Sequence, residues 1–140
     1  MGGEGDALQR SVRPSRSARS FPLIDTPRRD LLCAMAYVYL ACGQNLRALV
    51  LLRLAERERP NDVGLLRVLA YALLAAGDGP AALDVVLRLE SLDSDAECRA
   101  ALLLLRSHAL RLSGRLDDAR RCFRDFLAAR SQGGIPQWSA

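Results

Sequence analysis

Runs rich in Leu and Ala alternate along this chain with short breaks that hold Gly, Pro, Asn or Asp: CGQN, ERPND, AGDGP, LDSDAE and SGRL. Leu and Ala are strong helix formers, and no β-rich run interrupts them. The pattern predicts helices over residues 28–42, 45–59, 62–76, 79–91, 95–113 and 116–130, an all-α chain. Gly43, Gly77 and Gly114 stand where the first, third and fifth of these stop. A glycine at a helix end takes the left-handed conformation that a side chain penalises. Half of the residues are hydrophobic but only 5% are aromatic, so the core expected from a chain of 140 residues is built mainly from aliphatic groups.

The breaks repeat. Gly43 and Ala48 recur as Gly77 and Ala82 at an interval of 34 residues, and Gly114 with Ala119 repeats the internal spacing of five. Ala five residues after the stop falls early in the returning helix, where close approach to its partner needs a small residue. Ala55 follows on the same face two turns later, and Pro60 ends that helix because it cannot continue the backbone ladder. A period of about 34 residues with these letters resembles the tetratricopeptide repeat. The resemblance implies three helical hairpins stacked as a short right-handed solenoid with a concave groove, a fold that binds partners and makes or breaks no bonds. The interval from Gly77 to Gly114 is 37, which suggests an insertion in SLDSDAEC, where Ser, Asp and Glu also supply a cap and an acidic first turn for the fifth helix.

In the repeat family the groove is lined by the first helix of each hairpin. Counting back from each glycine places Tyr37, Tyr71 and His108 at one groove position, a ladder of rings with apolar bodies and polar tips. The same count adds Leu40, Leu74 and Arg111 at a second position and Cys33, Arg67 and Leu104 at a third. The groove implied is apolar with two guanidinium groups, suited to an amphipathic segment with Leu or Ile anchors and a carboxylate or two. The competing reading has the tyrosines filling space between helices.

Charge and composition divide the chain. Residues 1–27 form an Arg-, Ser- and Pro-rich tail too poor in apolar groups to pack, and residues 131–140, with Trp138, form a second loose end, leaving a domain over 28–130. Residues 1–29 carry six arginines against Glu4, Asp6 and Asp25, so most of the net charge of +4 sits there. These arginines are not interleaved with aromatics, which argues against nucleic-acid binding. No apolar run reaches about 18 residues and no secretory signal opens the chain, so a cytoplasmic protein without a membrane span is expected. Cys33, Cys42, Cys98 and Cys122 lack paired spacing and a nearby His, which predicts no metal and leaves them as small hydrophobes. Phosphate loops, nucleophile elbows and zinc motifs are absent from the sequence, so neither catalysis nor a cofactor is expected. Asp117 and Asp118 fall at a helix start, where the dipole accounts for them.

Beyond the generic repeat, YLACGQNLRALVLLRLAERERPND, the closing SHALRLSGRLDDARRCFRDFLAARSQ and the compact middle between them resemble the small tetratricopeptide chaperones of bacterial type III secretion, most closely the Y-type export chaperones (SctY/YscY). The likeness covers about residues 30–132. It implies a chaperone that pairs with a small early-exported X-type protein (SctX/YscX), keeps it soluble and presents it to the export gate (SctV/YscV), using neither ATP nor metal. Chaperones of translocator or needle subunits share the repeat and stay open as alternatives, as does a generic repeat scaffold unrelated to secretion.

Overall fold

The computed structural model describes residues 22–133, with side chains from residue 27. Within them six helices follow one another: α1 (Pro22–Ala41), α2 (Asn45–Glu58), α3 (Val63–Ala75), α4 (Gly79–Leu92), α5 (Ala96–Leu112) and α6 (Leu116–Gln132). There are no strands among the described residues, and the fold is all-α. Consecutive helices pack together, and in addition α1 packs on α3 and α3 on α5, whereas the even-numbered helices stand farther apart, with α2 and α4 joined by the Arg88–Glu56 ion pair at 2.6 Å.

Local chemistry sets most of the boundaries. Gly43, Gly77 and Gly114 have φ of 72°, 79° and 77°, the left-handed region, and each follows the end of an odd-numbered helix. Asp62, Asp78 and Asp95 cap α3, α4 and α5 by accepting from the amides of Leu65, Ala81 and Glu97. The Asn45 side-chain amide donates to the Ala75 carbonyl at 2.9 Å and so satisfies an orphan acceptor at the end of α3.

Two expectations change. α1 begins at Pro22, six residues before the expected start, with Pro22 at a first-turn position that needs no amide hydrogen and with Pro27 inside the helix. The rest of the expected N-terminal tail lies outside the described residues. So does the C-terminal end after Gly133, including Trp138, while α6 runs to Gln132. The longer second interval, from Gly77 to Gly114, is not a loop insertion either. Only residues 93–95 separate α4 from α5, fewer than the four between α2 and α3, and the extra length lies in α5, which has 17 residues against 13 in α3.

The core centres on α3, the helix in contact with α1, α2, α4 and α5. Its sequence VGLLRVLAYALLA is apolar nearly all round, as a helix enclosed by neighbours requires. Arg67, Tyr71 and Ala75, spaced by four, form its exposed line. Ala48 and Ala82 are fully buried, and Ala55 and Ala119 nearly so, where their helices meet the partners. Pro60 lies in the turn between α2 and α3, and its carbonyl accepts from Arg88.

Two ion pairs tie the first hairpin to the second, Arg88 with Glu56 and Arg29 with Asp62. Arg29 donates to both oxygens of Asp62 at 3.0 and 2.9 Å, while Asp62 also caps α3. Burial pushes the Asp62 carboxyl up, but the Leu65 amide and the Arg29 guanidinium outweigh it and hold the group below the usual carboxylate range. A carboxyl that titrates lower when folded contributes stability above its unfolded pKa of about 3.9 and loses it as pH falls through the folded value. Asp62→Asn keeps the capping oxygen and removes the charge. It is expected to cost about 1–2 kcal/mol at neutral pH and nothing in strong acid. Urea denaturation at the two pH values checks this, and an equal cost at both would contradict it.

Candidate functional site: an apolar cavity between α3, α5 and α6

Three helix faces converge on a cavity of about 1060 Å³. Tyr71, Leu74 and Ala75 come from α3. Leu104, His108 and Arg111 come from α5, where spacings of four and three keep them on one exposed line. Leu116, Ala119, Arg120, Phe123 and Arg124 close it from α6. Much of the wall is open to solvent: Tyr71 is 58% exposed, Leu116 51%, Leu104 43% and Phe123 42%. The Phe123 ring packs against Phe126 with centroids 5.7 Å apart in a tilted pair, which limits the freedom of both. The Ser107 hydroxyl, at the cavity floor, donates to the Ala119 carbonyl at 2.9 Å and pins α5 to α6.

Of the nine residues expected in the groove, five line this cavity: Tyr71, Leu74, Leu104, His108 and Arg111. Leu74 does so as a buried side chain that also belongs to the core. The other four lie elsewhere. Cys33 is buried and Leu40 packs against the core beside Ala36, because the three, spaced by three and four, share the side of α1 that meets its neighbours. Burial pushes the Cys33 thiol up. Tyr37 is exposed on α1, outside the cavity. Arg67 is held by the Asp93 carboxylate and reaches the Cys98 sulfur at 3.0 Å. The space-filling reading of the tyrosines does not hold, since more than half of each is exposed.

Leu116, Arg120, Phe123 and Arg124 escaped a count restricted to the first helix of each hairpin. A signal was present in α6, where Leu116, Phe123 and Leu127 are spaced by seven and four, the period of one helix face. All three remain exposed, because α6 closes the described stack and its backbone comes close to α5 alone.

Among the described residues, no group of His, Cys, Asp or Glu side chains gathers in a way that could hold a metal ion. The four cysteines are free, Cys33 and Cys122 buried and Cys42 exposed. No described helix is long and apolar enough to cross a membrane. No family model matches the chain, and no curated protein matches it.

Proposed function

We propose that this chain is a short right-handed solenoid of three tetratricopeptide-type hairpins that shelters an amphipathic segment of a partner, acting as a type III secretion chaperone for a small X-type export substrate presented to the export gate. The observation that carries the binding reading is the cavity walled by Tyr71, Leu104, Leu116 and Phe123, large apolar groups left in water on three converging helices. Such surface is unfavourable in water at roughly 25 cal/mol per Å² and is relieved when a partner's apolar face covers it. The solenoid reading is supported by the recurring glycine turns and by the close backbone approach of α1 to α3 and of α3 to α5, with no such approach among the even-numbered helices, which is what inner helices of a curved stack make. The choice of an X-type partner rests on the sequence likeness and on no feature of the cavity.

Co-expression with a tagged X-type protein tests the reading. A soluble complex that purifies together is expected, and an X-type protein that stays insoluble in the presence of the chain would remove the secretion assignment. Within such a complex, Tyr71→Ala with Phe123→Ala is expected to raise Kd by about 10- to 30-fold, the effect of truncating central aromatic anchors. Circular dichroism should stay helical, because neither ring is buried in the core. Unchanged affinity would place the partner elsewhere on the surface.

A further inference from the structure

Arg111, Arg120 and Arg124 stand on the cavity wall, and no Asp or Glu lines it. The guanidinium groups of Arg111 and Arg124 have no hydrogen-bond or ion-pair partner among the described residues. Arg120 reaches Asp117 at 3.3 Å, a pair with both side chains largely in water and therefore of little worth. Four arginines elsewhere in the fold are used differently. Arg29, Arg67, Arg88 and Arg106 each hold a carboxylate of another segment.

Resting on the groove reading above, we infer that the cavity selects an acidic amphipathic helix, with an apolar stripe seated against Tyr71, Leu104 and Phe123 and carboxylates along its flanks paired to Arg111, Arg120 and Arg124. The cavity volume of about 1060 Å³ lies just above the roughly 300–1,000 Å³ typical of small-molecule sites. Positive charge stands on both α5 and α6, so one acidic head group meets only part of it, whereas a helix with acids on both flanks meets it all. Guanidinium forks also bind carboxylates in a directed, bidentate way that gives register as well as attraction. The apolar wall separates this site from a surface that attracts any polyanion.

Fluorescence anisotropy with the full chain and three labelled helical peptides tests this. The peptides share one Leu stripe and carry Glu, Gln or Lys at the flanking positions. The Glu peptide is expected to bind about tenfold or more tighter than the Gln peptide at low salt, with the Lys peptide weakest. The preference should shrink as salt rises, since exposed charges are screened beyond about 10 Å at 0.1 M. Arg111→Glu with Arg124→Glu, both on exposed positions, is expected to reverse the order. Equal binding of the three peptides, with loss of affinity on Phe123→Ala, would overturn the acidic selection and keep the groove. Failure of all three to bind would overturn both. An oligonucleotide that competes as well as the Glu peptide would overturn the selection by showing that charge alone decides.

Discussion

Leu69→Ala is expected to cost about 2–5 kcal/mol, a large part of the 5–15 kcal/mol that holds a domain of this size folded. Leu69 is fully buried at the middle of α3, on the helix that touches four others. Truncation removes the transfer free energy of the lost carbons and leaves a cavity that the surrounding helices close only in part. Because α3 links the first hairpin to the last, the loss should appear as one cooperative shift of the whole transition. Urea denaturation followed by circular dichroism measures it. A change under 1 kcal/mol, or a transition that splits so that one hairpin melts alone, would contradict the central place given to α3.

Gly79→Ala is expected to be the second largest effect, about 1–3 kcal/mol or somewhat more. Gly79 opens α4, and a Cβ built there would meet the Leu112 carbonyl carbon and the Ser113 nitrogen, each at 2.7 Å. Those atoms are backbone at the end of α5, which a rotamer change cannot move aside. The helices must separate, and the packing of α4 on α5 with them. At roughly 4 °C per kcal/mol for a domain of about 100 residues, the melting point should fall by about 4–12 °C. Gly77→Ala makes an instructive contrast. It has open space around the position but a φ of 79°, so its cost is backbone strain and not a collision. A Gly79→Ala chain that melts as the parent does would mean that the two helices do not approach as closely as described.

The cavity chemistry shows where reading along the chain stops. Tyr71 and His108 were reachable by counting back from Gly77 and Gly114, since both lie at the same distance before a local helix stop. Arg67 followed from the same count, yet its guanidinium belongs to Asp93, which the turn between α4 and α5 brings beside it. Arg120, Phe123 and Arg124 take the wall it was expected to share, because α6 folds back along α5 and completes the cavity. Cys33 went the other way, into the core. On a helix that turns 100° per residue, positions 33, 37 and 40 span an arc of only about 60°, and the edge of the face that meets the neighbouring helices runs through it, with Cys33 and Leu40 inside and Tyr37 outside.

What the sequence by itself determined is the all-α class and most of the places where helices begin and end, the start of α1 excepted. Glycine stops, aspartate caps and proline act within a few residues of their own position, and Gly43, Gly77 and Gly114 carry that information with no help from the rest of the chain. Only the tertiary structure decided which guanidiniums are spent in ion pairs and which face the cavity, why Gly79 must be small, and that the interval from Gly77 to Gly114 lengthens a helix and not a loop. Those outcomes depend on distances between groups about 20 to 40 residues apart, set by the packing of whole helices, and helix packing follows summed side-chain shape, which no local pattern of letters encodes.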